Sequence, residues 1–144
     1  MNDAKAYRLD EIIASHSRRE GPLLPILHDV QDEFGCVDED AKRHIAKTLN
    51  LSRAEVHGVV SFYHDYTAEK APHPVLKLCR AEACKARGVE TLVASAEAAA
   101  AGRVEIETIY CLGLCTVGPN AMIGKDVFAR LDEKKLVALI EEMA

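Results

Sequence analysis

Four of the five cysteines come in two pairs, and each pair follows a segment that is predicted to be a β-strand. Cys79 ends the apolar segment PVLKLC and precedes Cys84, whereas Cys111 ends the alternating segment RVEIETIYC and precedes Cys115. Between the pairs, the alanine-rich residues 88–102 predict a helix. Strands joined by a crossover helix run parallel and end at the same side of a sheet. The β-α-β order therefore predicts that the two pairs lie side by side.

The pattern C-x4-C-x26-C-x3-C leaves several kinds of site open. Buried packing is common for a single cysteine and suits the isolated Cys36, but it explains two pairs at strand ends poorly. A thioredoxin-type redox dithiol uses C-x-x-C, which this sequence lacks. A four-cysteine zinc site tolerates these spacings, although CLGLC is more apolar than the usual zinc-binding turn. A [2Fe–2S] cluster needs four thiolates, two for each iron, and the two pairs would supply them.

The residues around the cysteines also suit a cluster. The small residues Ala81, Ala83 and Gly113 would let backbone N–H groups approach the sulfurs, and such hydrogen bonds tune the reduction potential. The apolar side chains of Leu112 and Leu114 would limit the access of water. These features predict a site that is partly shielded from solvent.

The first half of the chain is predicted to be a small helical bundle over residues 1–66. Apolar residues recur at helical spacing in its segments, which are 8–17, 21–35, 38–50 and 52–63. The last of these opens with SRAE, a capping-box pattern. The segment TAEKAPHP, residues 67–74, breaks the pattern because its two prolines disfavour a helix. We therefore expect a helical bundle domain over residues 1–70 and a second domain over residues 71–144.

The second half is predicted to have the order β-α-β-β-β-α, which is a small α/β module. AMIG and VFARL are predicted to form a hairpin that turns through Gly124, Lys125 and Asp126. Asp132 is expected to cap a final helix, EKKLVALIEEM. The fold class is therefore α/β, with a helical bundle before a sheet that carries the cysteine pairs.

Composition excludes some classes of partner and location. The net charge of −5 argues against nucleic acid, because neutralising phosphates needs a basic face. The N-terminal segment has no apolar core typical of a secretory signal, and no apolar run approaches the roughly 20 residues of a membrane span. Clustered cysteines without a disulfide framework also suit a reducing compartment. We expect a cytoplasmic protein that does not insert into membranes.

The sequence resembles the thioredoxin-like [2Fe–2S] ferredoxin family in four segments. Two of them are the helical segments LLPILHDVQDEFG and LSRAEVHGVVSFYHDY, and the other two are the later cysteine loops CRAEAC and CLGLC-x3-P. The resemblance extends from about Leu9 to the C-terminus. It implies a thioredoxin-like [2Fe–2S] domain behind the helical bundle, and it makes Pro119 a candidate for a cis proline. It also implies one [2Fe–2S] cluster and does not use Cys36. The implied ligands are Cys79, Cys84, Cys111 and Cys115.

The resemblance further implies an electron-transfer subunit of an NAD-dependent oxidoreductase complex, without a complete active site of its own. The implied partner is a flavoprotein subunit with FMN and an NAD(H) site. The amino-acid sequences of the two cysteine loops are most similar to those in the gamma subunit of NAD-dependent formate dehydrogenase. Equivalent subunits of respiratory NADH dehydrogenase and of NAD-linked hydrogenases are the alternatives, and a structural interaction module with a four-cysteine zinc site is another. The apolar residues 58–66, GVVSFYHDY, are expected to be core or a docking surface for the flavoprotein.

Overall fold

The computed structural model of the chain describes residues 3–144. These residues form two compact units that divide between Lys70 and Ala71. Each unit has its own hydrophobic core. That each unit is a domain able to fold alone stays a prediction.

The first unit contains the four predicted helices. Their bounds are α1, Asp3–His16; α2, Leu23–Phe34; α3, Glu39–Leu49; and α4, Arg53–Phe62. Helix α1 packs on α2 and α3, and α3 packs on α4. The fully buried side chains of the unit lie between these helices, and they include Leu9, Ile26, Leu27, Val30, Ile45 and Val56. The predicted helices are confirmed, and α1 begins five residues earlier than its apolar pattern indicates because its first turn is polar.

The ends of two helices in this unit follow the capping rules. Gly35 ends α2 with φ +74°, and its N–H donates to the carbonyl oxygen of Gln31 at 2.8 Å. At the start of α4, the N–H of Glu55 donates to Ser52 Oγ at 3.1 Å. In return, the N–H of Ser52 donates to Glu55 Oε2 at 2.8 Å. The predicted capping box is therefore confirmed.

The second unit has a four-stranded sheet of order β2-β1-β3-β4. Its elements are β1, Val75–Cys79; α5, Glu82–Ala86; α6, Glu90–Ala100; β2, Glu105–Ile109; a 3-10 turn, Cys115–Val117; β3, Ala121–Ile123; β4, Asp126–Phe128; and α7, Glu133–Met143. Strand β1 is parallel to β2 and antiparallel to β3, and β3 and β4 form the predicted hairpin. The α/β class is confirmed.

Two details of this unit differ from the sequence prediction. The segment between Cys79 and Cys84 does not remain a loop, because residues 82–86 form the short helix α5. Five residues are too few to show helical periodicity, so the pattern gave no signal. The segment VFARL is a strand only as far as Phe128, and Arg130 beyond it has φ +53°, which ends the extended backbone.

The core of the second unit joins buried side chains of the sheet to those of the helices. Leu76 and Leu78 lie two residues apart on β1, share one face and are fully buried. Leu136 and Ile140 lie four residues apart on α7 and are also buried, and α7 packs on α6. Across residues 3–144, no helix is long and apolar enough to span a membrane.

Candidate metal centre

The parallel pairing of β1 and β2 places the cysteine loops at one edge of the sheet. Cys79 is the last residue of β1 and lies opposite Ile109, the last residue of β2. Cys111 follows two residues after Ile109, and the N–H of Arg80 donates to the carbonyl oxygen of Ile109 at 3.0 Å. The predicted side-by-side placement of the two cysteine segments is therefore confirmed.

The four cysteines are free thiols that differ in exposure. Cys79 and Cys84 are only 2% and 1% exposed, whereas Cys111 and Cys115 are exposed. The Sγ atoms of Cys111 and Cys115 lie 3.5 Å apart. The thiol of Cys84 likewise donates a hydrogen bond to Cys79. The sulfurs thus form two pairs, one in the core of the unit and one at its surface.

The Cys79 sulfur is the point at which the two cysteine segments meet. Burial raises the pKa of the Cys79 thiol, but hydrogen bonds from backbone N–H groups of Ala81, Leu112 and Cys111 and from the Cys84 thiol outweigh burial and lower it. Because two of these N–H groups belong to CLGLC, that loop lies directly over the first pair. A lowered pKa favours the thiolate, which is the form that binds metal.

The pKa values of Cys84 and Cys115 are raised above that of an ordinary thiol. Burial raises the pKa of Cys84, as do its hydrogen bond and its charge interaction with Cys79. The hydrogen bond with Cys111 raises the pKa of Cys115. Two sulfurs in contact resist carrying two negative charges unless a cation is bound between them. Binding of a metal ion between the two sulfurs of a pair would favour the loss of their protons.

The donor set fits a cluster that has two metal ions. The four sulfurs lie in two pairs, and the loops that carry them touch at Cys79. A [2Fe–2S] cluster takes two thiolates at each iron, and two adjacent pairs of thiols satisfy that requirement. Such a cluster would exchange one electron at a time.

Gly113 is required for a reason other than the one expected. The backbone N–H of Gly113 does donate to Cys111 Sγ, at 3.4 Å. A Cβ at Gly113 would nevertheless meet nothing within 4 Å, so space near the sulfur does not select glycine. The residue has φ +77°, in the left-handed region that favours glycine. The turn of CLGLC therefore depends on this backbone conformation.

The prediction that both leucines of CLGLC limit the access of water is wrong for one of them. Leu112 packs against the core of the unit, but Leu114 is 37% exposed. The left-handed backbone at Gly113 separates the two side chains, so only one of them reaches the core. Cys111 and Cys115 consequently lie on an open surface of this chain.

Sequence reasoning missed two residues beside the cysteines, Gly118 and Asn120. A Cβ at Gly118 would lie 3.0 Å from Cys84 Sγ, so a side chain here would require its neighbours to shift. Asn120 is 1% exposed, and its Nδ2 lies 3.7 Å from the same sulfur. Both lie 34 or more residues beyond Cys84 in sequence, so their spacing gives no signal. The neighbouring Gly118–Pro119 peptide is cis, as the resemblance implies.

Cys36 and the aromatic segment of residues 58–66 lie in the first unit. Cys36 is a partly exposed free thiol. Within the segment, Val60 and Tyr66 are buried in the core, whereas Phe62 is 76% exposed and Tyr63 is also exposed. The segment is thus core on one side and an exposed aromatic surface on the other.

Comparison with known proteins shows which family and which relatives this chain is similar to. Residues 9–144 match the model of a family described as thioredoxin-like [2Fe–2S] ferredoxin. The chain is 28% identical over 142 residues to the NADP-reducing hydrogenase subunit HndA of Solidesulfovibrio fructosivorans, covering 92% of this chain and 82% of that protein. It is 26% identical over 150 residues to NADH-quinone oxidoreductase subunit 2 of Thermus thermophilus, covering 96% and 83%.

A solved structure has the same fold. The chain superposes on an NAD+-reducing [NiFe]-hydrogenase in the H2-reduced state with a TM-score of 0.71 and 25% identity. The match covers 84% of this chain but only 22% of the solved hydrogenase chain, so this chain is similar to one part of that hydrogenase chain. All four paired cysteines fall within the residues that match the family model. The chain belongs to the thioredoxin-like [2Fe–2S] ferredoxin family, whose cofactor is a [2Fe–2S] cluster.

Proposed function

We propose that the two thiol pairs hold the cluster, with Cys79 and Cys84 at one iron and Cys111 and Cys115 at the other. The observation that carries this proposal is the contact between the two segments, in which N–H groups of CLGLC point at Cys79 Sγ. Those N–H groups would offset negative charge on the sulfur of a bound cluster. With four thiolates and no histidine ligand, the reduction potential is expected near about −400 mV, as in plant-type ferredoxins.

The cluster then serves as an electron carrier between subunits. We infer that this chain exchanges single electrons with the FMN of a partner flavoprotein that binds NAD(H). The relatives support this role, because their names describe subunits of NADP-reducing hydrogenase and NADH-quinone oxidoreductase. The exposure of Cys111 and Cys115 would let the partner approach one end of the cluster closely. Phe62 and Tyr63 offer a further exposed surface for docking.

The proposed complex is a cytoplasmic NAD-dependent formate dehydrogenase, in which this chain is the gamma subunit. This proposal is supported by the amino-acid sequences of the loops CRAEAC and CLGLC, which resemble those of formate dehydrogenase gamma subunits. Free cysteines are consistent with a reducing compartment. The second candidate is an NAD-linked hydrogenase, and similarity to a hydrogenase subunit and to a solved NAD+-reducing hydrogenase favours it. The equivalent subunit of respiratory NADH dehydrogenase is supported by the Thermus thermophilus relative.

The ligand set is tested by metal analysis of single variants. The chain is purified anaerobically, and iron, acid-labile sulfide, absorption and the EPR spectrum of the dithionite-reduced form are measured. We expect the cluster signal to be lost or strongly reduced in Cys79→Ala, Cys84→Ala, Cys111→Ala and Cys115→Ala. Cys36→Ala is the matched control and should retain full iron. A wild-type chain with one zinc and no iron would support the structural interaction module instead.

The identity of the complex is tested separately. The tagged chain is isolated from its native cells with the subunits bound to it, and NAD+ reduction is assayed with formate and with hydrogen. Formate-dependent reduction supports the formate dehydrogenase, and hydrogen-dependent reduction supports the second candidate. Oxidation of NADH by quinone, without either activity, would identify the respiratory alternative. Depletion of the FMN-containing subunit should abolish electron transfer to the cluster in all three cases.

A further inference from the structure

The side chain of Asn120 lies between the two cysteine segments and contacts both of them. Its Nδ2 donates to the carbonyl oxygen of Leu114 at 2.8 Å, directly before Cys115. The same Nδ2 lies 3.7 Å from Cys84 Sγ. In addition, the carbonyl oxygen of Asn120 accepts from the N–H of Cys79 at 2.9 Å. The residue therefore makes contacts at Cys79, at Cys84 and at Leu114.

The orientation of the amide follows from its partners. A carbonyl oxygen can only accept a hydrogen bond, so the group that faces Leu114 at 2.8 Å must be the NH2 group of Asn120. The second hydrogen of that NH2 group is then free to point at Cys84 Sγ. Reversing the amide would place two acceptor oxygens in contact and would remove both bonds. The geometry thus requires a donor beside the sulfur.

The other end of the amide has no partner. Asn120 is 1% exposed, and its Oδ1 is buried without a hydrogen bond among the described residues. Leaving a buried acceptor unpaired is unfavourable, so an asparagine here is not explained by packing. The adjacent Gly118 leaves room for this arrangement, because a Cβ there would lie 3.0 Å from Cys84 Sγ and 3.7 Å from Asn120 Nδ2. The feature that does favour asparagine is its NH2 group, which faces both the carbonyl oxygen of Leu114 and Cys84 Sγ.

We propose that Asn120 is a positioning residue that holds CLGLC against the first cysteine pair and raises the reduction potential of the cluster by donating to Cys84 Sγ. The inference rests on the proposed ligand set. Reduction adds one negative charge to the cluster and its thiolates. A fixed donor stabilises the more negative, reduced state more than the oxidised state. Removing the donor should therefore make reduction harder.

The direct test is the midpoint potential of Asn120→Ala, measured by EPR-monitored redox titration of the loaded chain. The backbone N–H of Asn120 is retained in this variant, so the change isolates the side chain. We expect the equilibrium constant for reduction to fall about three- to tenfold, and tenfold corresponds to about 59 mV for one electron. Ile140→Ala is the matched control, because it truncates another fully buried side chain of this unit, on α7. Its potential should equal that of the wild type.

A second measurement uses a loaded chain with the wild-type residue at position 120. The chain has three asparagines, so Asn2→Ser with Asn50→Gly leaves Asn120 as the only one. After labelling of its side-chain amide with 15N, pulsed EPR of the reduced cluster should detect a 15N hyperfine coupling. This experiment remains decisive even if Asn120→Ala fails to take up iron.

The outcomes separate this inference from the proposed ligand set. An unchanged potential in loaded Asn120→Ala, an equal shift in Ile140→Ala, or the absence of a 15N coupling would each overturn the role of Asn120. None of these results affects the assignment of the four ligands. That assignment would fail if Cys84→Ala retained a wild-type cluster, whatever the behaviour of Asn120.

Discussion

Gly118 lies where an added Cβ would be in tight contact with its surroundings. A Cβ there would be 3.0 Å from Cys84 Sγ and 3.2 Å from Arg87 Cδ. We expect Gly118→Ala to destabilise the chain by about 1–3 kcal/mol, as overpacking does in other cores. Because the added Cβ would displace Cys84 Sγ, a proposed ligand atom, the fraction of chains that hold a cluster should fall as well. Thermal unfolding and the iron content per chain measure the two effects.

The matched control for this substitution is Gly58→Ala. Gly58 lies within α4, has no heavy atom within 4 Å of an added Cβ and does not have a positive φ. The same change should therefore stabilise the chain by about 0.5–1 kcal/mol through helix propensity, with no effect on iron. Equal behaviour of the two variants would contradict the proposed steric role of Gly118.

Ala101 is a non-glycine residue in the left-handed region, where it ends α6 with φ +46°. That conformation is unfavourable for a residue with a Cβ. Ala101→Gly should raise the free energy of unfolding by about 0.5–1 kcal/mol, the relief of strain being offset in part by a more flexible unfolded chain. Ala100→Gly, one residue earlier and inside the helix, should lower it by about 1 kcal/mol. Urea unfolding of both variants would show whether the free energy of unfolding rises in Ala101→Gly and falls in Ala100→Gly.

At the scale of single elements, α4 depends on the capping box at its start. Ser52→Ala removes the acceptor of the Glu55 N–H and should lower stability by about 1 kcal/mol. Ser61→Ala, near the other end of α4, is the control. Its hydroxyl only donates to the carbonyl oxygen of Gly58, so its loss should be neutral or slightly stabilising. Thermal unfolding at neutral pH compares the two, and a larger loss in Ser61→Ala would contradict the role of the cap.

The same cap should depend on pH. The backbone N–H and the hydroxyl of Ser52 hold the pKa of Glu55 below its ordinary value of 4.5. A carboxyl group with a lowered pKa stabilises the fold above its unfolded pKa, and this contribution is lost as pH falls through the folded value. The difference in stability between the wild type and Ser52→Ala should therefore narrow below pH 4.5. A difference that stays constant from pH 7 to pH 3 would contradict this linkage.

Long elements could be predicted from the sequence, but short ones beside the cysteines could not. Helix α4 shows an amphipathic pattern and a capping box, both of which are local signals. Helix α5 has five residues, and the contact of Asn120 with Cys84 joins residues 36 positions apart. Such contacts depend on how β1 and β3 pair, which no local pattern encodes. The paired cysteines were found because strand order alone brings their segments together.

At the scale of the whole molecule, the two units have separate cores. The core of the first unit is made by α1 to α4, and that of the second by the sheet with α6 and α7. The break in pattern at residues 67–74 includes the point where these units divide, and the change from helical to alternating periodicity there is visible in sequence. That each unit is a separate domain stays a prediction. What the sequence did not reveal is the exposed position of Cys111 and Cys115, because exposure depends on the packing of Leu112 and Leu114.

We expect the second unit to fold alone when it holds the cluster. A fragment of residues 71–144 is small enough for its core to give only marginal stability. A cofactor that binds only the folded state adds to that stability. The loaded fragment should therefore show the EPR spectrum of the full chain and a cooperative unfolding transition. Without iron, its transition should lie at lower temperature or be lost.

The control is the same fragment with Cys84→Ala, which lacks a proposed ligand and should resemble the iron-free fragment under all conditions. A fragment of residues 1–70 should remain helical and bind no iron, because it contains only Cys36. If the full chain holds the cluster and residues 71–144 do not, the second unit needs the helical unit to fold. The two units would then be one cooperative domain, since binding of the cluster and folding of the sheet would both depend on α1 to α4.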